Sequence, residues 1–387
     1  MSFKTLETYP LEDKYVVVRG DLNMPIKDGV ITDDTRLKAL LPTLKILKEK
    51  GAKIILLSHL GRPKGMVNPD LSLKPIAHAL EKEIASTVHF FDKERPVLEK
   101  GEIALRENVR FDPREEKNDP EFAKELSTLG DIFVQDAFAT SHRAHASTVG
   151  IANYIPAVAG LLVEKELKNL ELCLEKPERP VIALIGGAKI STKIDLLMNL
   201  VQKVNYLVLG GGMANTFLYA EGYDMKASLC EIDMKDTCLE IIKQAWTHEC
   251  HIVLPTDVVV APEFAANAPS RTVSVDNLQT EDMALDIGPQ TTQAIINYIS
   301  KSKTLIWNGP LGAFEIEPFD LATNELAKYV ALHTKSKQLN SVAGGGDTVA
   351  ALNKVNATKD MSYVSTAGGA FLEWMEGKPL PGIEILK

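Results

Sequence analysis

Short apolar runs recur along this chain at intervals that leave room for one helix between them, and that rhythm restricts it to an α/β fold. In the first half the runs are Tyr15 to Val18, Lys53 to Leu57, Ile103 to Leu105 and Asp131 to Val134. Between the first two, Thr35 to Lys50 sets Leu37, Leu40, Leu41, Leu44 and Leu47 at helical spacing. The second half repeats the pattern with Val181 to Ile185, Tyr206 to Leu209, His251 to Leu254 and Thr304 to Trp307. Strands apolar on both faces and separated by crossover helices predict parallel sheets covered by helices on each side. At 387 residues the chain is too long for one core, so two such sheets in series, hence two domains, are expected. The first is placed at 1–165 and the second at 181–370. The charged run Glu164 to Leu170, closed by Pro177 and Pro180, marks 166–180 as a linker helix, because proline cannot continue a helix. One more crossover helix inside a larger sheet is the other reading of that segment.

Charge narrows the partners. A net charge of −9 argues against broad binding to nucleic acid or to an acidic membrane surface, but a few convergent cations still suffice for a small anion. No apolar run approaches the ~18 residues of a membrane span, and the start MSFKTLETYP lacks a secretory apolar stretch. The expectation is cytoplasmic, with no membrane and no nucleic acid. Cys173, Cys230, Cys238 and Cys250 show no metal-ligand spacing and read as free thiols of a reducing compartment. Cys250-His251 reads either as half a metal site or, better, as a core cysteine beside an unrelated histidine.

The chemistry is written after the strands, where ligands bind in open α/β sheets. The first four runs are followed by Arg19 to Pro25, Ser58 to Pro63, Glu107 to Phe111 and Gln135 to His145. Arg36 opens the helix after Thr32 to Thr35. If these ends converge, Arg36, Arg62, Arg110 and Arg143 form an anion site with His59, since the planar guanidinium donates two parallel bonds to a carboxylate or phosphate. Singly, each arginine also reads as solvated surface, His59 as a structural histidine, and Asp21 and Asp136 as turn or helix caps. Recurrence at consecutive strand ends favours the site.

The second half is glycine-rich at the same positions: Gly186 to Lys193, Gly210 to Asn215, Trp307 to Glu315, Ala343 to Thr348 and Thr366 to Gly369. Glycine permits close backbone approach, and helix amino termini aim free N–H groups at phosphate oxygens. Lys189 and Lys193, four apart, would share one face of a helix. Asp347 offers the hard oxygen that magnesium prefers. Neither G-x-x-x-x-G-K-[ST] nor G-x-G-x-x-G occurs, and each cluster alone is also consistent with a tight turn. Together they point to a phosphate site.

These motifs resemble the phosphoglycerate kinase family. On the first half the resemblance rests on Arg19 to Pro25, Ser58 to Pro63, Glu107 to Phe111, Asp136 to Phe138 and His142 to His145. On the second it rests on Gly186 to Lys189, Lys193, Gly210 to Ala214, Trp307 to Pro310, Gly345 to Thr348 and Gly368 to Ala370. Gly20 and Met24 depart from the residues expected beside the key side chains. The resemblance implies an α/β fold of two Rossmann-like domains joined by a hinge helix, with a tail from 371–387 returning to the first. It implies that Asp21, Asn23, Arg36, His59, Arg62, Arg110 and Arg143 hold 3-phosphoglycerate or 1,3-bisphosphoglycerate. ATP or ADP would be met by Gly187, Ala188, Lys193, Gly211, Gly212, Asn308, Pro310, Gly312, Glu315, Gly345, Gly346, Asp347 and Thr348, with Mg2+ on Asp347. Arg36, Lys189, Lys193, Gly346 and Gly369 would carry the catalytic step, in a monomer. Another carboxylate kinase, or a non-catalytic two-domain protein that closes on an anion, are the alternatives.

Overall fold

A strand whose side chains are apolar on both faces must be covered on both faces, and the chain meets that demand twice. The structure, a computed structural model, describes residues 3–27, 29–365 and 367–387. It divides into two compact units: the first reaches Lys168 and takes in Pro379–Lys387, and the second is Asn169–Lys378.

The strands of the first unit are β1 (Tyr15–Gly20), β2 (Ile26–Lys27), β3 (Val30–Ile31), β4 (Lys53–Leu57), β5 (Val88–Phe91), β6 (Ile103–Arg106), β7 (Ile132–Asp136) and β8 (Ala157–Ala159). Among the described residues, six of them form a sheet in the order β5-β6-β4-β1-β7-β8, parallel throughout. The helices are α1 (Thr35–Glu49), α2 (Lys74–Ile84), α3 (Pro120–Ser127) and the start of α4 (Leu161–Leu170). All five leucines read as the inner stripe of α1 are buried.

In the second unit a parallel sheet runs β11-β10-β9-β15-β16-β17. Its strands are β9 (Val181–Gly186), β10 (Tyr206–Gly210), β11 (His251–Val253), β15 (Thr304–Asn308), β16 (Asn340–Gly344) and β17 (Tyr363–Ser365). A smaller antiparallel sheet, β12 (Asp257–Ala261), β13 (Arg271–Ser274) and β14 (Met283–Ile287), packs beside it. Helices α5 (Ile194–Leu200), α6 (Gly211–Ala220), α7 (Lys235–Thr247), α8 (Pro289–Lys301), α9 (Leu321–Lys335), α10 (Gly346–Lys354) and α11 (Gly368–Met375) complete it. Sequence periodicity gives no sign of β13, Arg-Thr-Val-Ser, which buries little and carries no apolar run; β12, Asp-Val-Val-Val-Ala, does carry one and is absent from the runs read above.

The division between units falls inside α4, at Lys168 and Asn169, within the segment 166–180 read as the linker. The helix gives way to a π turn at Glu171–Glu175 before either proline is reached. The return to the first unit begins at Pro379, not at 371. Residues 371–378 stay with the second unit because the Asn199 amide donates to the Met375 carbonyl at 2.6 Å and Lys378 pairs with Asp195 at 2.8 Å. The last residues are then fixed by Lys4 N–H donating to Leu386 and Gly382 N–H to Ser141, at 3.0 and 2.9 Å.

Candidate active site

Parallel register brings the carboxyl ends of the strands to one edge of each sheet. In the first unit Arg19 lies opposite Leu57, and Gly20 opposite Asp136. The turns that follow are tied by side chains. Ser58 Oγ donates to the Gly20 carbonyl and accepts from Leu22 N–H, both at 2.9 Å. The Gly61 peptide is held from two sides: Asn23 Oδ1 accepts its N–H and Arg110 donates to its carbonyl, each at 2.9 Å. Asn108 fixes the same loop through the Leu60 and Leu71 carbonyls. Arg62 follows that clamped peptide and is exposed. Arg36, in the first turn of α1, meets Asp21 at 2.7 Å, and Arg143 donates to His142 at 3.1 Å.

The pocket's charge is concentrated. Burial first, then the positive charges of Arg19, Arg110 and Arg36, push the His59 imidazole well below its usual range. Burial, then Arg110, Arg19, Arg143 and His142, brings His145 down to about 4. Burial, then Arg19, lowers Arg110 to about 10, with Arg143 adding to the repulsion. His59 therefore lies in the field of Arg19, Arg110 and Arg36, and Arg110 in that of Arg19 and Arg143. Arg19 is completely buried. It donates to Ser147 Oγ at 3.0 Å and to the Gly20 carbonyl, and approaches His59 Nδ1 at 3.1 Å. Glu115 and Ser147, which complete this buried polar group, escaped sequence reading. Glu115 sits in the charged run Arg114 to Asn118, which looks like solvated surface.

In the second unit Gly210 pairs with Gly186, and Asn308 with Ile185, so their turns are adjacent. Lys193 folds inward: its Nζ donates to the Gly186 carbonyl and to Asn308 Oδ1, each at 2.7 Å. Asn308 in turn donates to the Gly344 carbonyl at 2.9 Å. Thr348 Oγ1 donates to that carbonyl and accepts from Gly309 N–H at 2.7 Å. Burial lowers Lys193 to about 8, opposed by the charge of Asp347. Gly345 has φ of +99°, which favours glycine, and its Cβ would crowd the Asn308 amide. Gly346 opens α10 with nothing within 4 Å of a Cβ position.

Ala188, Lys189, Asp347, Glu315 and Gly369 are exposed. Lys189 and Lys193 do not share a helical face: Lys189 is extended, a 3-10 turn spans Ile190–Thr192, and α5 starts only at Ile194. Gly187 and Gly211 face each other, with Gly187 accepting from Met213 N–H. Gly212 packs on the Ala188 carbonyl, and Pro310 and Gly312 line the turn after β15. Thr366 lies outside the described residues. Cys173, Cys238 and Cys250 are buried, Cys230 is half-buried, and all four thiols are free. His251 Nε2 lies 3.0 Å from the Tyr298 hydroxyl.

A buried cationic pocket on one α/β unit, and on the other a lysine enclosed by glycine turns, define a kinase that acts on a small anion. The family described as phosphoglycerate kinase matches residues 6–378. A phosphoglycerate kinase of Sinorhizobium medicae is 54% identical, covering 100% of this chain and 99% of its own. One of Zymomonas mobilis is also 54% identical, covering 100% of both. The solved phosphoglycerate kinase of Coxiella burnetii superposes with a TM-score of 0.95 at 44% identity, over 100% of this chain and 99% of that one. That of Pyrococcus horikoshii gives 0.80 at 30% identity, over 99% and 98%. The chain belongs to the phosphoglycerate kinase family.

Proposed function

We propose that the chain transfers a phosphoryl group reversibly between 1,3-bisphosphoglycerate and MgADP, giving 3-phosphoglycerate and MgATP, with the acid on the first unit and the nucleotide on the second. The observation that carries the residue assignment is the mutual repulsion around His59. Arg36 and Arg110 push His59 down, and Arg143 pushes Arg110 and His145 down. A phosphorylated carboxylic acid relieves that repulsion. Arg36, Arg62, Arg110, Arg143 and His59 then take its phosphate and carboxylate, with Asp21 and Asn23 orienting Arg36 and the Gly61 peptide.

Neither a carboxylate nor an ADP oxygen needs a proton removed at neutral pH, so no general base is required. Catalysis rests on positioning and charge neutralisation. Arg36, Lys189 and Lys193 neutralise the group in flight. The amides of Gly346 and Gly369, at the starts of α10 and α11, supply donors. Gly187, Ala188, Gly211, Gly212, Pro310 and Gly312 shape the nucleotide's bed, Glu315 takes the ribose hydroxyls, and Asn308, Gly345 and Thr348 hold the phosphate turn. Among the described residues no three His, Cys, Asp or Glu side chains gather to hold a metal. Magnesium arriving on a nucleotide needs no such cage, because it keeps waters and phosphate oxygens and adds one carboxylate. The exposed Asp347 fits that role. Bound there, the ion shields phosphate charge. Transfer also requires the two ligands to be brought together, which we assign to motion about the 161–180 segment. No described helix is long and apolar enough to cross a membrane, and a monomeric cytoplasmic enzyme is the reading adopted.

A coupled assay with ATP, magnesium and 3-phosphoglycerate tests this. Turnover with 3-phosphoglycerate and none with acetate is expected. Turnover with acetate alone would point to another carboxylate kinase.

A further inference from the structure

The buried polar group beneath His59 has a direction, and every link in it is fixed by chemistry. Arginine only donates hydrogen bonds. The Arg19 Nε–H bond to Ser147 Oγ, 3.0 Å, therefore makes that hydroxyl an acceptor. Its own proton goes to Glu115 Oε1 at 2.6 Å, while Ser147 N–H donates to Oε2 at 3.0 Å. Both Glu115 oxygens thus accept; burial pushes this carboxyl up from its usual range, opposed by the Arg19 charge and by the two bonds from Ser147. At the other end Arg19 NH2 lies 3.1 Å from His59 Nδ1. A donor there requires the lone pair of Nδ1, which leaves the imidazole proton on Nε2. Glu115, Ser147 and Arg19 are all 0% exposed, and they come from the loop after Arg110, the loop after β7 and the end of β1. Glu115 is also the first of the two carboxylates that support the Arg19 charge, ahead of Asp21.

We propose that Glu115 is a positioning residue of the substrate site: through Ser147 and Arg19 it holds His59 neutral, with Nδ1 as acceptor and its proton presented on Nε2 to the anion. The inference rests on the reading of this pocket as the 3-phosphoglycerate site, and it deepens that reading. Glu115 touches no substrate. It sets which histidine nitrogen donates, and it keeps Arg19 beneath the histidine. With the carboxylate replaced by an amide, one of the two Ser147 donors faces an NH2 group. Where the hydroxyl faces that NH2 group it must turn, and in either orientation Arg19 loses the charge of Glu115 that supports it.

The test uses the full chain with 15N-labelled histidine, the His59 signals being assigned by their loss in His59→Asn. In the wild type, Nε2 is expected to be protonated and Nδ1 not. A proton on Nδ1 overturns the positioning chain without needing any variant to fold. In Glu115→Gln the His59 signals are expected to shift toward a mixture of tautomers. The KM for 3-phosphoglycerate should rise about 10-fold, with the KM for ATP unchanged. A purely structural role would lower the melting temperature and move both constants together, and that result counts against the proposal. If Glu115→Gln does not fold, Ser147→Ala, which removes only the relaying hydroxyl, is read the same way. Adding 3-phosphoglycerate to the wild type should shift the His59 Nε2 signal. No shift, with the tautomer as stated, sinks the substrate reading of the pocket and leaves the polarity of the chain standing.

Discussion

Arg36, Arg110 and Arg19 are held to different degrees, and the difference sorts their roles. Arg36 keeps one described partner, Asp21, and a side chain 33% exposed, so it can leave that carboxylate for a passing phosphoryl group. Arg36→Ala is expected to lower kcat by about 10²-fold with little change in the KM for 3-phosphoglycerate. Arg62→Ala should chiefly raise that KM, and equal small effects from both in steady-state assays would remove the division of labour. Lys193 supplies a second residue-scale prediction. Its amine is lowered to about 8 by burial, so it loses its proton as pH rises through about 8. kcat/KM for ATP should fall there. kcat should fall only at higher pH, because bound phosphate favours the charged amine. Lys193→Met should abolish that limb. The cations were legible in sequence because they recur after strands. Glu115 and Ser147 were not, since burial of a charged residue leaves no mark on its neighbours in the chain.

The turns after β9, β15 and β16 carry glycines that serve two separate needs. A Cβ on Gly186 would run into the Pro310 carbonyl, whereas one on Gly346 meets open space. Gly186→Ala is therefore expected to destabilise the second unit, while Gly346→Ala should melt like the wild type yet raise the KM for ATP. Thermal unfolding and kinetics on the pair separate packing from phosphate approach. Equal melting points would show that the β9 and β15 turns separate without cost. At the start of α4, Asp136 Oδ1 accepts from Leu162 and Val163 N–H at 2.9 and 3.2 Å. Removing this cap with Asp136→Ala should cost roughly 0.5–2 kcal/mol. Burial raises Asp136 from 3.8 to about 7, so the folded state binds its proton more tightly than the unfolded chain does. That contribution to stability is present at low pH and is lost as pH climbs from 3.8 through about 7. Asp136→Asn keeps an acceptor without the charge, so its stability relative to wild type should increase between pH 5 and 8 in urea titrations. Long apolar strands and the leucine stripe of α1 were legible because period and burial coincide. β5, β8, β13, β16 and β17 were not, because short or polar strands owe their state to neighbours distant in sequence; β12, with its Val-Val-Val run, was legible by the same rule and went unread.

At the scale of the whole molecule, the proposed chemistry requires the acid and the nucleotide to meet. The residues assigned to the acid fall between Asp21 and Arg143 in one unit, and those assigned to the nucleotide fall between Gly187 and Thr348 in the other. In-line transfer needs the attacking oxygen within roughly 3–3.5 Å of phosphorus. The chain passes from one unit to the other inside α4, at Lys168, and returns at Pro379. Both crossings must accommodate any rotation. The sequence marked the first crossing through its charged helix and prolines; the second came only with the family resemblance, which put it at 371, since nothing in Lys378 to Pro381 distinguishes a crossing from a turn. Binding both ligands is expected to lower the radius of gyration more than either alone, because only then are opposing charges on the two units bridged. Small-angle scattering with no ligand, 3-phosphoglycerate, MgADP and both together measures this. A radius unchanged across the four states would mean that transfer occurs in a preformed arrangement, and the α4 segment would lose its assigned role as hinge.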